Sequence, residues 1–152
     1  MPNYLNDLIE ISHFYGQNKD FIISGGGNTS LKEGGLLYIK ASGCALANID
    51  ENGFVAMERQ KLSTLLDHPY SDEPFQREHE VKTALSAGRA FPEKGGRPSV
   101  ETSLHDMINY RFIVHTHPFV VNAVLCSNQA RDTITELFGM EQNEPLYVEY
   151  TD

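Results

Sequence analysis

The sequence is short of cysteine, short of positive charge and without any long hydrophobic run, and each shortage closes off a class of protein. Its two cysteines, Cys44 and Cys126, lie far apart, belong to no C-x-x-C pattern and sit in mostly apolar stretches. They predict small buried hydrophobes of a reducing compartment, not a disulfide framework or a redox pair. Lysine and arginine number 12 against 21 aspartates and glutamates, a net charge of −9. The surface field therefore repels nucleic acid and anionic membrane, and any anion must be held by local groups. No run approaches the length of a membrane span, and the first residues carry no basic stretch followed by an apolar one, which predicts a cytoplasmic rather than a secreted or membrane protein. Repeats and low-complexity tracts are missing, and 40% apolar against 22% charged residues excludes general disorder. What remains is a chain of 152 residues, the length of one domain with a real core.

Leu5, Leu8 and Ile9 recur at helical spacing before Gly16, predicting an amphipathic first helix on a sheet face. Thr29–Lys32 and Leu36–Lys40 flank the Gly34-Gly35 turn as two strands, and Phe54–Met57 reads as a third. Ser71-Asp72-Glu73-Pro74 has the composition of a helix start, with Val81, Ala84 and Leu85 as the buried stripe before Gly88. The stretch from Gly88 to Pro98, with Arg89, Lys94 and Arg97, is a long loop of the kind that often serves function. A helix is expected from about Glu101 to Tyr110 with Leu104, Met107 and Ile108 turned inward, then a strand through Val114, helices over Val120–Leu125 and Thr133–Phe138, and a last strand over Leu146–Tyr150. Strands joined partly by tight turns and partly by helices predict an α/β fold with a mixed, largely antiparallel sheet and helices on both faces.

The run Arg111–Pro118 carries the strongest chemical signal. Side chains alternate along a strand, so His115 and His117 face the same way while Thr116 points away, and Pro118 ends the ladder. Two imidazoles on one face at a strand end either share a metal ion or are two ordinary histidines, and context must decide. Three turns supply context. Gly25-Gly26-Gly27-Asn28 permits close backbone approach, as loops that cradle phosphate do, and Ser42-Gly43 and Pro98-Ser99 repeat the theme. The glycine run is no dinucleotide fingerprint, because the third glycine of G-x-G-x-x-G would fall at Ser30. Glu101 is either a first-turn acid that suits the helix dipole or, if it lies near a metal, a group that moves a proton. His105, one turn on, would orient Glu101, line the pocket, or be a core or surface histidine.

Taken in order, Gly27-Asn28-Thr29-Ser30, Ser42-Gly43, Pro98-Ser99-Val100-Glu101 with His105, and His115-Thr116-His117-Pro118 resemble the class II aldolase and adducin family over nearly the whole chain. The wording around Arg97–His105 is most similar to the aldolase domain of rhamnulose-phosphate aldolase and lactaldehyde dehydrogenase fusions. The resemblance implies a three-layer αβα, class II aldolase-like domain spanning residues 1–152. It implies substrate phosphate on Asn28, Ser42, Gly43 and Ser99, zinc or another divalent metal on His115 and His117, and Glu101 as the acid/base. The implied reaction cleaves a small ketose phosphate of the L-rhamnulose or L-fuculose type to dihydroxyacetone phosphate and an aldehyde. The implied partners are a small-molecule sugar phosphate, no nucleic acid, no membrane, and further copies of the chain, since family members are commonly tetramers. Two departures stand out. Val100 replaces a second serine found in many members, and no histidine follows His117 to serve as the third zinc ligand, so the expected site is incomplete and the chain reads as a domain short of its C-terminal part. The alternatives are a non-catalytic, adducin-like assembly module and a related sugar-phosphate epimerase or dehydratase.

Overall fold

The computed structural model describes residues 4–139 and 145–149. Gly34 and Gly35 take φ of 57° and 80°, the paired positive values of a two-residue hairpin turn whose twist matches its strands. They close β1 (Asn28–Glu33) onto β2 (Leu36–Lys40), with Glu33 opposite Leu36. β3 (Phe54–Glu58) pairs with the far side of β2 and β4 (Phe112–His115) with the far side of β1, giving an antiparallel sheet ordered β3-β2-β1-β4.

Alternation along these strands builds two cores. On one face Leu5 and Leu8 of α1 (Tyr4–Gly16) pack on Leu31, flanked by Tyr38, Phe54 and Phe112. Ser12 of the same helix meets the Thr29 hydroxyl at 2.7 Å, so the helix is bonded to β1 as well as packed on it. On the other face Leu37, Ile39, Val55 and Met57 pack against Leu62 of α2 (Arg59–Leu62) and Leu85 of α3 (Pro74–Ala87). Leu8, Leu31, Leu37, Ile39 and Met57 are fully covered, each contributing roughly 1.5–3 kcal/mol of burial. Helices on both faces of an antiparallel sheet are the three-layer α/β arrangement expected from the sequence.

The polar face of β1 positions the site. Asn28, Ser30 and Lys32 alternate onto one side of the strand, and all three are buried, so each needs a polar partner. The helix after Glu101 and the turn before it supply these partners and are shaped by them. The helix runs only over Thr102–Met107, as α4, and the expected inward stripe is reversed: Leu104, Met107 and Ile108 are exposed, while Thr102 and His105 are fully buried. The strand face beneath α4 is polar, so hydrogen bonds set the helix's rotation. His105 Nδ1 lies 2.8 Å from Ser30 Oγ, and the Lys32 ammonium donates to the carbonyls of His105 and Ile108 at 2.6 and 2.5 Å, capping the helix end.

Beyond β4 lie α5 (Phe119–Leu125) and α6 (Ala130–Phe138). None of α5 is buried among the described residues, and this corrects the reading of Cys126. The apolar stretch around that cysteine is itself on the surface, so Cys126 is exposed, whereas Cys44 is half-buried against the core. Residues 145–149 form no strand, since no described strand lies alongside to pair with them and Leu146 and Val148 are exposed. Tyr150, expected to end that strand, lies outside the described residues. Among the described residues no helix is long and apolar enough to cross a membrane.

Candidate metal and anion site

The site forms where β1 begins and β4 ends. Antiparallel register sets Asn28 opposite His115, and the glycine run ahead of β1 packs beneath the histidines. Gly27 has φ of 72°, and a Cβ there would lie 2.6 Å from Ile22 Cδ1 and 2.9 Å from the His115 carbonyl. A Cβ on Gly26 would lie 3.4 Å from His117 Nδ1. The close approach these glycines permit is therefore to the histidine-bearing strand itself. The Phe21 carbonyl then accepts from the His117 N–H at 3.0 Å, fixing the chain just past the strand end.

His115 and His117 face the same side, as alternation requires, with their Nε2 atoms 3.0 Å apart. The other nitrogen of His115 looks inward, where Glu101 Oε1 lies 3.4 Å from Nδ1. Glu101 comes from the turn before α4 and is held by Asn28, whose amide donates to Glu101 Oε2 at 2.8 Å and to Ser99 Oγ at 2.7 Å. One buried amide thus ties Ser99 to the carboxylate. His105 completes the group: Glu101, His105 and His115 each offer a ligand atom, and these atoms lie within 4.8 Å of one another.

The electrostatics follow from burial and contact. Burial pushes the Glu101 carboxyl upward, but the Asn28 hydrogen bond and the neighbouring His115, His105 and His117 outweigh it, leaving the carboxyl below its usual range. Burial, with His115 and Lys32 adding to it, pulls the His105 imidazole down to about 4, so the ring is neutral near pH 7 and carries a lone pair. Among the described residues, His105 Nε2 and His115 Nδ1 are buried and have no hydrogen-bond partner. Unpartnered buried nitrogens beside a carboxylate are costly in a bare protein and suit a divalent metal. The residues present therefore fit the cation that the family resemblance implies. A neutral imidazole has one free lone pair, so His115 joins either the outer grouping with His117 or the inner one with Glu101 and His105. Sequence reading left the role of His105 open. The signal that could have raised it is the polar Asn28, Ser30, Lys32 face of β1, which only a polar partner element can cover.

The Ser42–Gly43 turn reaches the same region from β2. Ser42 N–H donates to the Arg97 carbonyl at 2.8 Å and Ala41 pairs with Pro98, which holds the turn beside the Arg97–Ser99 segment. Gly43 has φ of 93° and open space around its Cβ position. All seven site residues expected from sequence, Asn28, Ser42, Gly43, Ser99, Glu101, His115 and His117, thus lie along one connected strip. A cavity of about 530 Å³ lies elsewhere, toward the α1 side of the sheet, lined by Leu5, Tyr38, Phe54 and Phe91 together with Glu51, Asn52 and Lys94.

This fold is shared with the N-terminal class II aldolase domain of a conserved protein from Thermoplasma acidophilum, which superposes with a TM-score of 0.77 at 24% identity over 91% of this chain and 66% of that one. Among curated proteins, the uncharacterized oxidoreductase YuxG of Bacillus subtilis (strain 168) is 24% identical over 159 residues. That alignment takes in 99% of this chain but only 22% of YuxG, so the chain spans a minor part of that relative's length. The family model for the class II aldolase and adducin N-terminal domain matches residues 6–151, and on that match the chain belongs to the class II aldolase and adducin family.

Proposed function

We propose that this chain is a metal-dependent aldolase domain that cleaves a small ketose phosphate to dihydroxyacetone phosphate and an aldehyde. The observation that carries the reading is Glu101, oriented by Asn28 and set 3.4 Å from His115, beside two buried imidazole nitrogens with no partner among the described residues. His115 would hold the metal, zinc by family resemblance, with His117 on one side of its ring or Glu101 and His105 on the other. When bound, the metal polarises the carbonyl and hydroxyl oxygens of the ketose and stabilises negative charge developing there.

The chain's own groups supply the rest. Ser42, Gly43 and Ser99 bind the substrate phosphate, and Asn28 couples that end to Glu101. The Glu101 carboxylate, ionised because its neighbours hold its pKa down, takes the proton from the C4 hydroxyl. The C3–C4 electron pair moves toward the C2 carbonyl as the aldehyde leaves, and the protonated Glu101 returns its proton to C3. Binding the phosphate at a distance from the reacting carbons orients the substrate without stabilising the ground state at the bond that breaks.

The oxidoreductase name belongs to a relative of which this chain matches 22%, and Ser30 stands where a dinucleotide fingerprint needs its third glycine. A coupled assay for dihydroxyacetone phosphate release from L-rhamnulose and L-fuculose phosphates tests the proposal. Glu101→Gln should lower turnover by about a hundredfold or more, within the usual span for general acid–base groups. Turnover equal to wild type would remove Glu101 from the mechanism, and no release by the zinc-loaded wild type from any ketose phosphate would remove the aldolase reading.

A further inference from the structure

We propose that Arg97 reads the charge of a phosphate monoester dianion at the Ser42–Gly43 turn, a specificity role that rests on the anion end assigned above. Ser42, Ser99 and the Gly43 backbone are neutral donors. In a protein of net charge −9, neutral donors leave a dianion without local countercharge. This chain also has Val100, 73% exposed and without a hydroxyl, beside Ser99. A cation at the turn answers both deficits.

Arg97 is placed to be that cation. Its main chain is fixed across from the turn by the Ser42 N–H to Arg97 carbonyl bond and the Ala41–Pro98 pairing. Its guanidinium donates from Nη2 to Ser42 Oγ at 2.8 Å, which uses one of five N–H groups and leaves the others for an incoming anion. Arg59, Arg111 and Arg131 each lie against a carboxylate, whereas among the described residues Arg97 has no such partner. The Arg97 side chain is exposed, and Gly43 beside it opens onto free space. At the far end of the same turn the buried Lys40 ammonium donates to the Cys44 carbonyl at 2.9 Å, bracing the loop. An arginine fork matches the oxygens of phosphate in geometry as well as charge.

Calorimetric titration of the full chain with glycerol phosphate, and with glycerol as the uncharged comparator, at pH 8 and pH 5 and constant ionic strength, tests the assignment. Monoester phosphates lose their second proton near about pH 6, so wild type should bind glycerol phosphate more tightly at pH 8 than at pH 5 and glycerol weakly at both. Arg97→Gln should weaken binding at pH 8 by about tenfold or more, the size of one charge-assisted contact, and should flatten the pH dependence. Arg97→Lys should keep the pH dependence with reduced affinity, and Arg77→Gln, exposed on α3, should behave as wild type. Thermal melts confirm that each variant is folded, and Arg97→Lys carries the test if Arg97→Gln is not. Equal affinity of folded Arg97→Gln and wild type, or no preference of wild type for glycerol phosphate over glycerol, overturns the proposal. Loss of affinity in Arg97→Gln without aldol cleavage by wild type keeps this inference and removes the aldolase reading. Cleavage by wild type with affinity indifferent to Arg97 does the reverse.

Discussion

Replacing Lys32 by methionine tests whether buried polar contacts, not an apolar stripe, hold α4 on the sheet. The Lys32 ammonium donates to the carbonyls of His105, Ile108 and Tyr110 at 2.6, 2.5 and 3.2 Å, so the variant leaves three acceptors without that donor. An unsatisfied buried acceptor costs about 1–3 kcal/mol, but the contacts to Ile108 and Tyr110 are only part-buried, so water can take the donor's place there. Methionine also relieves the burial that, with Arg59 nearby, depresses the lysine's pKa. Setting these against each other gives a net loss of about 1–2 kcal/mol. Urea unfolding followed by circular dichroism is the assay: with a slope of about 2 kcal/mol per molar, the midpoint should fall by about 0.5–1 M. Because α4 carries His105 and follows directly on Glu101, zinc affinity should fall with it. A midpoint within about 0.2 M of wild type would mean that the ammonium contributes nothing that water cannot replace.

Two further outcomes follow from the same geometry. Gly27→Ala must fit a Cβ 2.6 Å from Ile22 and 2.9 Å from the His115 carbonyl at φ of 72°, so it should lose about 2–4 kcal/mol in urea unfolding from strain and overpacking; an unchanged midpoint would mean the loop is not seated under β4. His105 titrates near 6.5 when unfolded and about 4 when folded, so its contribution is complete above pH 6.5 and is lost as pH falls toward 4. The metal-free chain should lose roughly 3 kcal/mol of stability across that window from this group, and His105→Asn should show a shallower acid slope; identical slopes would deny that the ring is buried neutral.

Much of the architecture was legible because it is local. Gly34-Gly35 between two apolar runs specifies its hairpin, the leucine spacing of residues 5–8 specifies α1, and the H-x-H alternation specifies which way both imidazoles point. The rotation of α4 was not legible, because it depends on which face of β1 lies beneath it, and that face becomes polar only when Asn28, Ser30 and Lys32 are known to share it. The Asn28 bond to Glu101 joins residues 73 apart in sequence, beyond any periodicity. Cys126 and residues 146–149 misled for one reason: apolar composition records a preference for burial, and burial requires a neighbour that the described residues do not provide.

Whether His115 anchors a metal beside Glu101 is read by direct zinc titration of the metal-free chain by calorimetry. His115 belongs to both the outer grouping with His117 and the inner one with Glu101 and His105, so its loss cannot be masked by exchange between them. One zinc should bind per wild-type chain, with no saturable binding by a folded His115→Ala variant. Equal stoichiometry and affinity in the two proteins would remove His115 from the metal site.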